Sequence, residues 1–338
     1  DEGIFSLEKG RTFYTSNAGL PVLRQEICKY VERKYNVSYN PKNEILITVG
    51  GSEAIDMGLR CVLDPGDEVI IPQPAYVSYE PCTIMAGGKP VIIDLKAENE
   101  FRLTPEELEA AITPKTKALI LPFPNNPTGA IMEAKDLEAI IPIIIKHDLI
   151  VMSDEIYAEL TYTGKHVSIA SYPGMKERTI LINGFSKAFA MTGWRLGYAC
   201  GPAEIIEQMT KLHQYAIMCA PTLSQYGAIE AVKNSDEEVE NMVKQYNQRR
   251  RFLLSELERL GLDCFEPGGA FYVFPSIKKT GMTSEEFATK LLESQKLAVV
   301  PGNAFGRSGE GFIRISYAYS IDNLKEGIRR IEEFLKNV

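Results

Sequence analysis

From Glu44 onward the sequence repeats one figure: a short apolar run, a turn, a stretch with helical spacing, then another apolar run. EILITVGG closes on glycines, SEAIDMGLRCVL follows with helical spacing, and DPGD stops it. EVIIPQP, PVIIDL, KALILPFP, LIVMSDE, TILING and RLGYACG repeat the apolar part, most of them separated by stretches such as TPEELEAAI and EAKDLEAIIPIIIKH. Strands this continuously apolar must be covered on both faces, and strands that alternate with helices pair in parallel. The pattern therefore predicts an α/β fold with a mostly parallel central sheet sandwiched by helices. Ligands of such sheets gather at the carboxyl ends of the strands.

From about Asp236 the texture changes. A long charged helix, EEVENMVKQYNQRRRFLLSELERLG, leads into GGAFYVFPSI, a helix from Ser284, GFIRISYA and a final amphipathic helix, which reads as a smaller α+β unit. The expected division is 40–215 for the large domain, with 1–39 and 216–338 forming the small one. With 338 residues, 45% hydrophobic and 24% charged, there is room for both. No internal repeat or low-complexity tract interrupts the pattern.

A net charge of −8 argues against a general nucleic-acid binder, which needs a cationic surface to displace counterions from phosphates. The six cysteines show no CxxC pair or regular framework, so they read as free thiols in a reducing compartment. His147, His166 and His213 stand far apart, and no metal site is expected from their spacing. The longest apolar runs, such as Ile140–Ile145 with its internal Pro142, are too short to cross a bilayer, and no secretory signal opens the chain. The expected location is the cytoplasm. The chain opens at Asp1 without a methionine, in what reads as helix-to-turn sequence, as a fragment would.

The unusual polar residues stand at strand ends. GGSEA follows ILITV and opens a helix, either as a tight turn with Ser52 as N-cap or as a phosphate site made of glycines and free helix N–H groups. Its glycines lack GxGxxG spacing and no GKS or GKT follows, so a dinucleotide or nucleoside triphosphate fits poorly. PNNPTG puts Asn126 before a proline, in what could be a plain turn. MSDEIY puts Asp154 at the end of an apolar strand with Tyr157 three positions later; the carboxylate either caps a helix or, if desolvated, needs a cationic or proton-donating partner. NGFSKAFAMTGWRLG brings Lys187 and Arg195 into a stretch of small and apolar residues, and both need an anionic partner. Together these supply a phosphate-sized cradle, an amide, a buried acid, a phenol, a lysine and an arginine at the ends of one sheet. Pyridoxal phosphate requires that set: a lysine to attach to, an acid to hold its ring nitrogen protonated, and anion recognition for its phosphate.

GFSKAFAMTGWRLG also resembles the pyridoxal-phosphate attachment site of class I/II aminotransferases. NNPTG, SDEIY, GGSEA, PAYVSYE and GFIRISYA are similar to that family's other motifs, in its order, from residue 11 to the C-terminus. The resemblance is to fold type I enzymes of the aspartate/aromatic branch, including the bacterial group assigned to N-acetyl-diaminopimelate or aspartate transamination. It implies that Lys187 attaches the cofactor covalently and then moves the substrate proton. It implies that Asp154 pairs with the pyridinium nitrogen and stays ionised because that opposite charge outweighs desolvation. It implies too that Asn126 and Tyr157 hydrogen-bond the phenolic oxygen and that Tyr76 stacks on the ring. By the same resemblance, Arg195, the helix opening at Gly51, Ser52 and Glu53, and Tyr14 reaching across from a second subunit are expected to hold the phosphate, with Ser186 a further candidate. The match of GFIRISYA to the family's motif likewise implies that Arg314 takes the substrate α-carboxylate by a two-pronged contact, with Asn126 beside it.

Two departures stand out. The family often has serine three residues before the lysine, where this chain has Gly184. Members also begin with a further segment, including a GEPDF-like loop over the substrate pocket; without it the chain as written is expected to bind cofactor more securely than it turns over substrate. The resulting expectation is a homodimer with shared active sites. It passes the amino group of an L-amino acid (aspartate, aromatic or N-acyl-diaminopimelate type) to a 2-oxo acid such as 2-oxoglutarate, in ping-pong fashion. Two other readings stand beside it: a carbon–sulfur β-lyase that uses the same lysine, acid and arginines on the same fold, and a non-enzymatic ligand-sensing domain of the kind fused to DNA-binding regulators.

Overall fold

The computed structural model describes residues 2–337. The main sheet contains β1 (Ile45–Thr48), β2 (Glu68–Gln73), β3 (Lys89–Asp94), β4 (Thr116–Leu121), β5 (Ile150–Asp154), β6 (Thr179–Gly184) and β7 (Gly197–Cys200), in the order β1-β7-β6-β5-β4-β2-β3. The pairings β3/β2, β2/β4, β4/β5 and β5/β6 are parallel, whereas β7 runs antiparallel to both β6 and β1. The expected mostly parallel sheet is therefore present, and its inner strands are largely buried because helices cover both faces, while the edge strand β3 is mostly half-buried. Every residue of β2 and of β6 is buried.

The helices are α1 (Glu2–Glu8), α2 (Pro21–Tyr35), α3 (Gly50–Val62), α4 (Tyr79–Met85), α5 (Pro105–Ala111), α6 (Ala134–Lys146), α7 (Ala203–Ala216), α8 (Thr222–Asn234), α9 (Asp236–Arg259), α10 (Ser284–Gln295) and α11 (Ile321–Leu335). Their starts follow local chemistry. Thr104 before α5 and Thr283 before α10 each form a reciprocal capping box with the glutamate three residues on, and three acids, Asp236, Glu237 and Glu238, sit on the positive end of α9's dipole. The Ser52 N-cap reading does not hold: α3 starts at Gly50 with Val49 in the N-cap position, no side chain caps it, and Ser52 lies inside its first turn.

A second, antiparallel sheet joins β8 (Tyr272–Val273), β10 (Ile313–Ser316) and β9 (Val300–Pro301). Leu253 and Leu257 of α9, Phe287 and Leu291 of α10, and Leu324, Ile328 and Ile331 of α11 close over it around Val273 and Ile313. Packing places α2 and α8 elsewhere. Leu23, Ile27 and Val31 share a core with Ile45, Leu181, Tyr198, Ala228 and Val232, on the main sheet rather than in the smaller unit expected for 1–39 and 216–338. We propose that the division falls at the start of α9. No helix among the described residues is long and apolar enough to cross a membrane.

The strand directions position the site. Because β7 is antiparallel to β1 and β6, those two strands run in the same sense as β5, and the carboxyl ends of β1, β4, β5 and β6 lie at one edge with the start of β7. The β6–β7 connection, which carries Lys187 and Arg195, crosses that same edge.

Candidate active site

At this edge lies a cavity of about 350 Å³. It is lined by Gly51 and Ser52 from the start of α3, Tyr76 before α4, Asn126 after β4, Asp154 and Tyr157 from the end of β5 and the following turn, Ser186, Lys187 and Arg195 from the β6–β7 connection, and Arg314 from β10. Ten of the twelve residues singled out from sequence thus converge, from both sheets.

Asp154 is 7% exposed. Its Oδ2 accepts the Tyr79 hydroxyl at 2.7 Å and its Oδ1 accepts the Ile156 N–H at 3.2 Å. The strand's alternation sends its neighbours to the other face, where the Glu155 carboxylate accepts from Ser153 and Ser168 and pairs with His166 Nε2 at 2.7 Å. The opposite charge that the resemblance sets beside Asp154 is that of a ring nitrogen, and the protein's own residues do not stand in for it. Burial pushes its pKa up, the Tyr79 and Ile156 hydrogen bonds pull it back, Glu155 adds to the rise and Lys187 opposes it. Among the described residues no cation forms an ion pair with Asp154.

Lys187 is the complementary case. Its Nζ lies 5.5 Å from the Tyr157 ring centre and 5.3 Å from that of Phe271. Burial lowers its pKa, as do Arg314 and, less, Arg195, against the opposing pull of Asp154.

The cradle at α3 is built from missing side chains. A Cβ on Gly50 would lie 2.6 Å from Arg195 Nη2, and one on Gly197 would lie 2.5 Å from the Gly50 carbonyl carbon and 2.6 Å from Gly51 N. Only glycine lets β7 press against the helix start so that Arg195 reaches it. Arg195 adopts a left-handed φ of 51° and donates from Nη1 to the Thr192 carbonyl at 3.0 Å. Since α3 has no side-chain cap, its leading N–H groups are available to an anion beside this guanidinium. The serine-to-glycine departure has the same origin: a Cβ on Gly184 would sit 2.9 Å from Gly197 Cα and 3.0 Å from the Leu196 carbonyl oxygen. Ser186 instead lines the cavity.

Glu53 and Tyr14 lie outside the lining. The Glu53 carboxylate turns away, bonding His213 Nδ1 at 2.6 Å and accepting the Val49 N–H, so only its backbone belongs to the helix opening. Tyr14 is 78% exposed.

On the opposite wall, Arg314 Nη1 donates to Asn126 Oδ1 at 2.7 Å, which leaves the Asn126 amide N–H groups as donors. The Arg314 guanidinium stacks 4.4 Å from Tyr272 and 4.8 Å from Phe305, and its buried Nε has no hydrogen-bond partner among the described residues. The Tyr157 hydroxyl lies 3.0 Å from that of Tyr272, and burial keeps its pKa well above the ordinary phenol value. Tyr79, Tyr272 and Thr192 line the cavity without having been read from sequence. Tyr79 had a usable signal, being three positions after Tyr76 at a helix start. Tyr272 had none, since its partner Tyr157 is 115 residues away.

Known proteins resemble the chain along nearly its whole length. The family profile described as aminotransferase class I and II matches residues 3–331. An aspartate aminotransferase of Pyrococcus abyssi is 49% identical over 98% of this chain and 86% of its own length. An aromatic-amino-acid aminotransferase of Thermococcus litoralis is 46% identical over 98% of this chain and 86% of its own. The crystal structure of an aromatic aminotransferase from Pyrococcus horikoshii superposes with a TM-score of 0.98 at 47% identity, covering 99% of this chain and 91% of that one.

Proposed function

The chain belongs to the class I and II aminotransferases, and on that premise we propose that it transfers the amino group of an aspartate-type, aromatic or N-acyl-diaminopimelate-type L-amino acid to a 2-oxo acid such as 2-oxoglutarate, with pyridoxal 5′-phosphate as carrier. One observation carries this reading: a single cavity holds a desolvated lysine, two guanidinium groups, and a buried carboxylate that has no cationic partner among the described residues. Buried charges require partners, so such a cavity calls for a ligand with anionic groups at two ends and a protonated nitrogen facing Asp154.

The residues fit that cofactor. The uncapped start of α3 with Arg195 would take the phosphate, Asp154 the ring nitrogen, and Tyr76 the ring face. The Asn126 amide and the Tyr157 hydroxyl would take the phenolic oxygen. When bound, the cofactor supplies an electron sink for cleaving the substrate Cα–H bond and a store for the amino group. Lys187 Nζ, held toward its neutral form by burial, accepts the Cα proton and later returns it. Arg314 swings one arm from Asn126 to the incoming α-carboxylate, a bidentate contact that fixes the Cα–H bond relative to Lys187. The two-stage cycle follows, because donor and acceptor use the same cavity in turn.

We place the enzyme in the cytoplasm, where a reducing environment suits its six unpaired cysteines. We also assign it a homodimer in which Tyr14 reaches the partner's phosphate site. Phe13, Tyr14, Ile217 and Met218 are exposed by 54%, 78%, 44% and 47%, and hydrogen bonds of the Phe13 carbonyl to Thr222 and of Asn17 to the Met218 carbonyl tie these segments together. An apolar surface of this kind marks an association site. Elimination chemistry is not favoured, since the named relatives are aminotransferases.

The test is a single-turnover reaction: cofactor-loaded protein with one amino acid and no acceptor. An aspartate-type or aromatic donor should convert the absorption to that of the amine form of the cofactor and release a stoichiometric 2-oxo acid, and 2-oxoglutarate should reverse the change. Continuous release of pyruvate from cystathionine without an acceptor, or no conversion with any donor, would overturn the assignment.

A further inference from the structure

Asp154 is held from two sides, by the Tyr79 hydroxyl on Oδ2 and the Ile156 N–H on Oδ1, and Tyr79 is the side chain that donates to it among the described residues. Tyr79 opens α4, is 3% exposed, and packs edge-on against Tyr76 with ring centres 5.7 Å apart. One helix start thus fixes two walls of the cavity, the aromatic face and the acid. We propose that Tyr79 is a positioning residue for amino transfer, whose hydroxyl keeps the Asp154 carboxylate ionised and aimed at the cofactor's ring nitrogen. This rests on the cofactor assignment above.

The two hydrogen bonds occupy one lone pair on each Asp154 oxygen and leave the others toward the cavity. Tyr79 acts as a donor throughout, because burial, then the charge of Asp154, holds its own pKa well above the phenol value. At Asp154 it is the strongest influence working against burial. The other groups facing the pair are Glu155 with its partner His166 on the opposite face of the strand, Lys187 from the β6–β7 connection, Tyr157 from the turn after β5, and Tyr76. Of these only Lys187 favours the carboxylate, and that residue is committed to proton transfer. A neutral Asp154 could not pair with a protonated ring nitrogen, so the hydroxyl matters to the reaction without touching substrate.

Tyr79→Phe keeps the ring and removes the donor. A hydrogen bond to a charged acceptor shifts an equilibrium roughly ten- to a hundredfold, and here only the ionised form of Asp154 loses it. Cofactor dissociation constants should therefore be measured for wild type and Tyr79→Phe across pH, taking their ratio so that the cofactor's own titrations cancel. The ratio should be near unity on the alkaline side and rise roughly tenfold or more as pH falls through the Asp154 titration. A uniform penalty at all pH, or none, would overturn the proposal.

The same variant should be unfolded without cofactor. A raised folded-state pKa means stability is lost as pH rises through it, and Tyr79→Phe raises it further. Its cost to the unfolding equilibrium should grow roughly tenfold or more from the acid to the alkaline side, and this growth should vanish in an Asp154→Asn background. A cost independent of pH, or unchanged by Asp154→Asn, would overturn it. If wild type binds no cofactor, the functional assignment fails while this second measurement still reports on Tyr79. Should Tyr79→Phe not fold, 3-fluorotyrosine at position 79 alone, a stronger donor, should move the acid limb of cofactor binding to lower pH; an unmoved limb counts against the proposal.

Discussion

Lys187 is prepared as a base by where it sits rather than by an adjacent proton acceptor. Burial and the nearby Arg314 favour its neutral form, so its amine should react with an acylating reagent at lower pH than an exposed lysine. Lys135 is a suitable reference, since Glu133 raises its pKa. In the cofactor-free protein, peptide mapping after labelling across pH should show Lys187 modified at pH values where Lys135 is protected by its proton, and equal profiles would contradict this account. Lys187 and Asp154 were legible in sequence for one reason, that each puts a costly charge in an apolar setting, which demands a partner, whereas Arg314 was legible only through the resemblance of GFIRISYA to a family motif. Tyr79 and Tyr272 were not, because a tyrosine near other aromatics reads the same whether it fills a core or aims its hydroxyl at an acid. The Asp154 charge state is not set by the chain alone, because the opposite charge expected to hold it ionised is the ring nitrogen of the proposed cofactor.

At the level of elements, the glycines around α3 make a sharper demand than any cap. Gly197→Ala would press a methyl group into the backbone of Gly50 and Gly51, whereas a Cβ on Gly193, four residues earlier, meets nothing within 4 Å. The first substitution should cost about 1–3 kcal/mol as overpacking and weaken cofactor binding, while Gly193→Ala should leave denaturation midpoints nearly unchanged. Equal midpoints for the two variants would mean that the close approach of β7 to α3 is not needed. The strands themselves were legible because burial on both faces writes them as unbroken apolar runs. The direction of β7 was not, since RLGYACG has the same composition whichever way it lies. The attachment of α2 to the main sheet was hidden for a similar reason: an amphipathic helix states that it has an apolar face but not which surface receives it.

On the scale of the whole molecule, the site joins two sheets. Arg314 on β10 reaches Asn126 beyond β4, and the exposed pair between Arg307 and Asp94, which contributes little by itself, spans the same units. A ligand held by both should stabilise them together. Cofactor at about a hundred times its dissociation constant should raise the unfolding free energy by about 2.7 kcal/mol, read as a higher thermal midpoint that depends on cofactor concentration. No shift at such concentrations would show that the cavity does not take the cofactor in the folded state. The ladder that joins β1, β7 and β6, with Gly197 opposite both Thr48 and Gly184, has a wider meaning. Adjacent strands keep a spacing of about 4.8 Å whatever their side chains. The separation between the helix opening, the Arg195 turn and the end of the lysine-bearing strand is therefore gauged by backbone hydrogen bonds. The apolar clusters around them can exchange one side chain for another over many generations, altering stability as they go, while the reach from lysine to phosphate site stays fixed.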